Sequence, residues 1–568
     1  MKKTIHAITR EEQANFEVGH TAVSSAVAWS LVCLFLALIS VVPLVQAARE
    51  IRESWASHYR LVWPRCADIF GHGRAAAKAV AQGEGPWTAR ILPANRELLR
   101  NIKAYEDRLS DTSWLGAAVR PWVQYALCRM GAGNEQVLCG RGTELFYRPD
   151  VEHLTGPGFL SDLWQQRRIQ GGDAWRSAPQ PDPVPAIIQF SRQLADRGIR
   201  LVLMPVPCKP ALDSDRLTMA PEGVTLPLRN LSHTEWAQRL RRAGVSVFDP
   251  AEALARAGKG PFFLVGDTHW TPEVAERCAR WLAQELKAQG LAPPGVSVGY
   301  QSESVAQTHV GDLAALLKLP LGQTRYGPET VRVRRILTPD GLAWEPTPTA
   351  DTLVLGDSFC NIYSQSALGW GTGAGFVEQL SYEWQRPLDR IALNDNGAFA
   401  TREALAHELA QGRDRLAGKR LVIWQFAERE LSCGDWKAMD LQVQAKRSAA
   451  FGCPPPGQTL RVSGVIKAMT HAPRPGSVPY KDHIIALHLV DVQADSLPAG
   501  ARQILAYVWS MRENVWTDVA RARVGDRISL SLVPWSEVDA LYEGVNRSDL
   551  EDESLLAQPP CWGEWVMP

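Results

Sequence analysis

The sequence has no surplus of charge in either sign: Lys plus Arg and Asp plus Glu both number 61 among 568 residues. With no net charge and no long basic run, nothing marks nucleic acid as a partner. The ten cysteines include no CxxC pair and no Cys/His cluster with zinc-like spacing, which argues against a structural metal. One of them, Cys33, lies in an apolar N-terminal stretch, and the remaining nine cannot all pair within one chain. Cys433 and Cys453 bracket a short segment and are candidates for a bridge in an oxidising compartment. Disorder is excluded by composition, with 45% apolar and 21% charged residues. Charge is absent altogether from residues 21–45, and no second run of that kind follows.

That charge-free run (TAVSSAVAWSLVCLFLALISVVPLV) is 25 residues long, where about 20 apolar residues suffice to cross a bilayer. Twenty largely polar residues precede it and AARE follows, so it reads as an uncleaved signal anchor. Cleavage after Val45-Gln46-Ala47 is the alternative. Lys2, Lys3 and Arg10 lie before the span and Arg49 and Arg52 after it, a nearly even positive-inside count. The expectation is a cytoplasmic N-terminus (1–20), a single span (21–45), and everything beyond it on one side.

Residues 46–132 are charged and helical in pattern (ANRELLRNIKAYEDRLSD), as in a stem or cap. GRGTELFYRPD (140–150) is a turn-rich opening to a strand, after which helices and strands alternate. AIIQFSRQLADRG carries apolar residues at helical spacing, and IRLVLMPVP is a continuous apolar run suited to a strand buried on both faces. A helix at 236–244 precedes the strand VSVFD. Another starts at Thr271-Pro272-Glu273, with Thr as cap and Pro at the first position, and runs to Gly290. It places Val274, Cys278, Leu282 and Leu286 on one face. DTLVLGDS and KRLVIWQF are two more buried strands. Repeated β-α-β predicts an α/β domain (133–453) with a mainly parallel sheet and a site at the strands' carboxyl ends. Beyond Pro454-Pro455-Pro456 the segments TLRVSGVIKA, HIIALHLVDV, ILAYVWSM and DRISLSLVPW are short strands. They predict a small five-stranded, OB-like barrel over 459–535 within a β-rich region, 454–568. The 21 Trp are assigned mostly to cores rather than to sugar platforms.

Two motifs carry chemistry. In LVLGDSFCNIYS (353–364) a buried strand runs into Gly356-Asp357-Ser358, a layout that lifts a serine to the sheet edge, where backbone N–H groups can hold an oxyanion. Asp357 is assigned to bracing that turn. In GDTHWTPE (266–273), Asp267 and His269 are two apart, so the carboxylate reaches one ring nitrogen and leaves the other for a nucleophile. A helix-capping loop with a satisfied histidine is the bland alternative for DxH alone; GDS at a strand end in the same domain tips the balance. A metal pair is set aside because no third ligand motif is evident. Lys209 (PVPCKP) and Arg429 (QFAEREL) end strands and are candidates to contact substrate or to form salt bridges, while Asn361 and Tyr363 are candidate substrate contacts.

DTHWTPE followed about ninety residues later by LGDSFCNIYS resembles the SGNH hydrolase-like alginate O-acetyltransferases of the AlgJ/AlgX type. GRGTELFYRPD, LTGPGF, LMPVPCKP and HVGDLAALLKLP are similar to segments of that family too. Other SGNH esterases place GDS early and Asp/His late; this chain has the permuted order, and the similarity spans about 133–436. Two departures are GRGTELFY in place of GRDGWLFY and a β-rich tail unlike the alginate proteins' binding module.

The resemblance implies an SGNH-like fold with Ser358 as nucleophile, His269 as base and Asp267 as its orienting carboxylate, working without a cofactor. It also implies a protein of the bacterial inner membrane whose catalytic domain lies in the periplasm. There it would acetylate an exopolysaccharide acceptor beside a multi-spanning membrane O-acyltransferase that supplies acetyl groups. A polysaccharide acetylesterase and a non-catalytic polysaccharide-binding scaffold of an export complex are the rival readings.

Overall fold

The structure, a computed structural model, describes residues 24–58, scattered positions between 64 and 106, and 113–566 with short gaps. The longest gaps are 172–177, 219–225, 442–447 and 495–499. The expected cytoplasmic N-terminus (1–20) lies outside the described residues, as does most of the segment 94–111. The chain divides into two compact units, 1–123 and 124–568.

In the first unit, α1 (Ser25–His58) contains one stretch, Ser25–Arg52, long and apolar enough to cross a membrane. Trp29, Leu34 and Phe35 all face outward, and the most apolar window of the helix has no buried residue. An apolar stretch of this length with no buried residue in its most apolar window fits a single-pass membrane anchor.

In the second unit, Cys128 lies near the end of α2 (Trp114–Arg129). The hairpin β1 (Val137–Cys139) and β2 (Leu145–Tyr147) follows, and then the α/β alternation begins. Its elements are α3 (Pro183–Ala195), β3 (Arg200–Val206), α4 (His233–Arg242), β4 (Ser246–Val247) and α5 (Pro272–Ala288). Next comes a two-stranded antiparallel arm, β5 (Gln301–His309) and β6 (Glu329–Leu337), with the short α6 (Asp312–Leu316) between its strands. The domain is completed by β7 (Thr352–Gly356), α7 (Ser358–Asn361), α8 (Phe376–Trp384), β8 (Asp389–Ala392), α9 (Ala400–Ala410) and β9 (Leu421–Ala427).

The sheet order is β4-β3-β9-β7-β8, with every pairing parallel. Apolar runs that do not alternate are explained by burial on both faces. Val202, Met204, Val354 and Ile423 point into one core with Val274, Cys278, Leu282 and Leu286 of α5. Leu201, Leu203, Leu353, Val422 and Trp424 point into the other, against Ile187 of α3 and Trp236 of α4. Most of the large buried indoles, Trp236, Trp270, Trp370, Trp424 and Trp436 among them, serve these cores. Thr271 stands at the cap position of α5 with extended backbone, but its side chain makes no cap bond, and Pro272 alone sets the helix start.

The C-terminal region is all β: β10 (Leu460–Met469), β11 (His483–Gln493), β12 (Ile504–Arg512), β13 (Val515–Trp516), β14 (Arg527–Pro534), β15 (Asn546–Ser548) and β16 (Pro560–Trp565). Strands β12-β16-β14-β10-β11 pair in sequence and β11 pairs back onto β12, closing a five-stranded barrel. The barrel therefore extends beyond the predicted 459–535, because its fifth strand is β16, a short CWGEW run that sequence inspection passed over. The expected Cys433–Cys453 bridge is also corrected. Cys433 sits against Glu430, whereas Cys453 donates to the Pro560 carbonyl (3.8 Å) beside Cys561.

Candidate active site

Two loops meet beyond the carboxyl ends of the sheet. The first, 264–270, is pinned at its base by Leu264 N–H donating to the His269 carbonyl (3.0 Å) and by a bridge between Phe263 and Trp270. It packs backbone to backbone on the loop entering α6. Gly311 has φ +90°, and a Cβ there would stand 2.3 Å from the Gly266 carbonyl oxygen. A Cβ on Gly266 would stand 2.6 Å from the Val310 oxygen, so both positions require glycine.

This packing fixes Asp267, which is fully enclosed. Its Oδ1 accepts from His269 Nδ1 (2.6 Å) and from the His269 backbone N–H (3.0 Å). Its Oδ2 accepts from the Trp370 indole N–H (2.9 Å) and the Asp312 backbone N–H (3.1 Å). Burial pushes the Asp267 carboxyl up, but His269, Trp370 and the backbone donor more than reverse this and hold it below the usual carboxylate range. Burial likewise disfavours the His269 imidazolium, and the neighbouring Asp267, with Asp312 behind it, outweighs burial and raises its pKa. His269 Nε2 is buried and has no hydrogen-bond partner among the described residues.

The second loop follows β7. A Cβ on Gly356 would lie 2.3 Å from the Cys360 sulfur, so the strand turns into α7 at its closest point. Asp357 braces the turn, as assigned from the sequence. It accepts from Phe359 N–H (2.9 Å), Gln425 Nε2 (2.8 Å) and Ala427 N–H (2.6 Å). Ser358 stands next to it, only 4% exposed. The His269 ring lies against Phe359, the residue after Ser358, at 4.8 Å between ring centres. The loops bearing Asp267, His269 and Ser358 are thus brought to one edge of the sheet. Of the backbone N–H groups at this turn, those of Phe359 and Cys360 donate to Asp357 and are not free for substrate.

Lys209, Asn361 and Tyr363 have structural partners instead of open exposure. Lys209 is fully buried under the first loop, donating to the Leu264 (2.6 Å) and Val265 (3.0 Å) carbonyls and pairing with Glu144 (3.2 Å). Asn361 Nδ2 donates to the Ala392 carbonyl (3.1 Å) and Asn394 Oδ1 (2.8 Å), and the Tyr363 hydroxyl donates to the Trp270 carbonyl (2.6 Å). Arg429 alone of the four is near the site with partial exposure. It pairs with Asp150 (3.1 Å), lies over Tyr147 and Phe359, and its charge acts on His269.

Sequence reasoning missed Asp312 and Trp370. Asp312 lies 45 residues from Asp267, too far for any spacing rule, and its only signal was its place in HVGDLAALLKLP. Its carboxylate accepts from Thr268 N–H and Thr268 Oγ1, both at 2.8 Å, and stands 3.8 Å from His269 Nδ1. Burial, then the Asp267 charge, pushes its pKa up to about 7. Asp267, His269 and Asp312 form the third-ligand set the sequence did not reveal, with atoms within 4.8 Å of one another. Their four carboxylate oxygens and His269 Nδ1 are all engaged in hydrogen bonds, which fits a proton-handling clamp better than a metal site.

Residues 170–428 match the family model described as the SGNH hydrolase-like domain of acetyltransferase AlgX. The chain is 30% identical over 397 residues to the probable alginate O-acetylase AlgJ of Pseudomonas aeruginosa, covering 66% of this chain and 94% of that one. It is 30% identical over 266 residues to the Azotobacter vinelandii protein of the same description, covering 43% and 62%. Among solved structures it resembles the O-acetyltransferase domain of Pseudomonas putida AlgJ, with 22% identity, a TM-score of 0.39 and coverage of 54% and 95%. The chain belongs to the AlgJ/AlgX-type family of alginate O-acetyltransferases.

Proposed function

We propose that the protein is a membrane-anchored O-acetyltransferase that moves acetyl groups onto hydroxyls of an exopolysaccharide through an acyl-enzyme on Ser358. The observation that carries this reading is the enclosed Asp267–His269 pair, its Nε2 without a partner among the described residues and its ring against Phe359, the residue after Ser358. His269 Nε2 takes the Ser358 proton as Oγ attacks the acetyl carbonyl, and Asp267 stabilises the imidazolium that forms. The tetrahedral intermediate collapses, the donor's oxygen leaves with the proton from His269, and Ser358 carries the acetyl group. A sugar hydroxyl then gives its proton to His269 and attacks the ester; collapse of the second intermediate returns the proton to Ser358. Arg429 is the polar group best placed to meet substrate.

In this reading the catalytic domain faces the periplasm, the acceptor is a polysaccharide, and a multi-spanning acyltransferase in the inner membrane supplies the acetyl group. The support is the family membership and the outward-facing apolar helix α1. The test incubates the purified full chain with an aryl acetate, with and without oligosaccharide acceptor. Acetylated sugar, together with loss of both acetylation and ester cleavage in Ser358→Ala, is the expected result. Acetate alone in the presence of sugar would make the protein an esterase. Unchanged activity in Ser358→Ala would end the proposal.

A further inference from the structure

Two thiols far apart in sequence are neighbours in the fold. Cys453 lies in the segment that leads into the barrel, and Cys561 lies on β16, the strand that closes it. The segment is held there by Gly452 N–H donating to the Gln503 carbonyl (2.9 Å) and by a bridge between Phe451 and Gln503. The contacts of the two sulfurs are reciprocal. Cys453 Sγ donates to the carbonyl of Pro560 (3.8 Å), and Cys561 Sγ donates to the carbonyl of Gly452 (3.9 Å). Each thiol therefore touches the residue immediately before the other cysteine. Cys561 is fully buried in the barrel core and Cys453 packs on the rim of the same cluster. The Cys453 thiol is the foremost cause that pushes Cys561 titration upward, ahead of burial, as two adjoining sulfurs require.

We propose that Cys453 and Cys561 form a disulfide. The inference rests on the periplasmic placement argued above, because that compartment keeps cysteines oxidised. The two thiols give up two electrons and two protons as the S–S bond forms. A dithiol–disulfide exchange protein in its disulfide form takes up both and leaves as the dithiol. The bond ties the closing strand to the linker from the α/β domain and closes a loop of roughly 110 residues, where loss of unfolded-state freedom is greatest. It also accounts for a partly accessible cysteine in the linker without invoking Cys433.

The test isolates the full chain from membranes, blocks free thiols at once with an alkylating agent, and identifies linked peptides by mass. An unalkylated 453–561 linked peptide pair, released only on reduction, is the expected result. Reduction is then expected to lower the urea midpoint of the wild type and to leave that of the Cys453→Ser/Cys561→Ser variant unchanged. Purified reduced protein is also incubated in a glutathione redox buffer, which tests the pairing apart from the compartment. Thiols that are free in the cell but link in this buffer uphold the pairing and refute the periplasmic placement. Thiols that stay free in both, or a Cys433–Cys453 link in their stead, overturn the proposal.

Discussion

Asp267→Asn tests the proposed chemistry most sharply, because all the hydrogen bonds to this carboxylate come from donors. Oδ1 faces two N–H groups of His269, and Oδ2 faces the Trp370 indole and the Asp312 amide. An asparagine of the same shape must set its NH2 against one of these pairs. Facing the indole and the Asp312 amide it would meet two fixed protons; facing His269 it meets only one, the backbone N–H, because imidazole has a second tautomer, so the NH2 turns to His269 and Nδ1 becomes the acceptor. The ring proton then moves to Nε2, the atom that must take the proton of Ser358. In serine enzymes of this constellation the wrong tautomer costs about ten-thousand-fold in kcat, or about 5 kcal/mol of barrier. A shift in pH dependence accompanies it. His269 must be neutral to act, and its pKa is raised because Asp267 outweighs burial. Activity of the wild type therefore falls on the acid side above the ordinary histidine value, and removing the anion leaves burial to pull that limb to lower pH. The assay is acetate release from an aryl acetate across pH, with folding checked by circular dichroism. A folded variant that retains more than a tenth of wild-type kcat, or whose acid limb stays in place, would refute the assignment of His269 as base oriented by Asp267.

Three other substitutions separate chemistry from scaffold. Asp312→Asn keeps both Thr268 contacts if its NH2 faces the hydroxyl, so kcat on the alkaline plateau should stay within about tenfold, while loss of the second anion moves the acid limb down. An unmoved limb in the pH profile counts against any influence of Asp312 on His269. Lys209→Met leaves Glu144 without its buried partner and two carbonyls without their donor; urea unfolding should show a loss of about 3–5 kcal/mol, and an unchanged midpoint would refute its structural role. Gly311→Ala forces a Cβ into the Gly266 carbonyl at positive φ; about 1–3 kcal/mol of strain and a fall in kcat with the displaced first loop are expected, to be read from unfolding and kinetics on one preparation.

The α/β domain was legible because its signals are local. The unbroken apolar runs of β3, β7 and β9 could only be strands buried on both faces, and the one-face stripe of α5 lies in the core as predicted. The Asp267–His269 contact was legible for the same reason, since two residues of separation nearly dictate it. What failed to show was whatever depends on chain segments meeting. Asp312 and Trp370 reach Asp267 from 45 and 103 residues away, and no periodicity encodes that. Lys209 was a candidate for substrate contact or for a salt bridge; it forms the salt bridge, with Glu144, because the loop carrying Leu264 and Val265 folds over it, a meeting of segments that the strand end alone does not encode. β16 was missed because its six residues, PCWGEW, include proline and glycine, poor formers of an isolated strand.

That late strand imposes an order on assembly. β16 is the last strand along the chain, yet it lies between β12 and β14, parallel to one and antiparallel to the other. During synthesis, four staves of the barrel precede the one that seals it, and β12 and β14 keep open edges until residues 560–565 arrive. Seating depends on long-range contacts, a slow kind of event. The interval before closure is when this domain is most exposed to mispairing with another copy of itself.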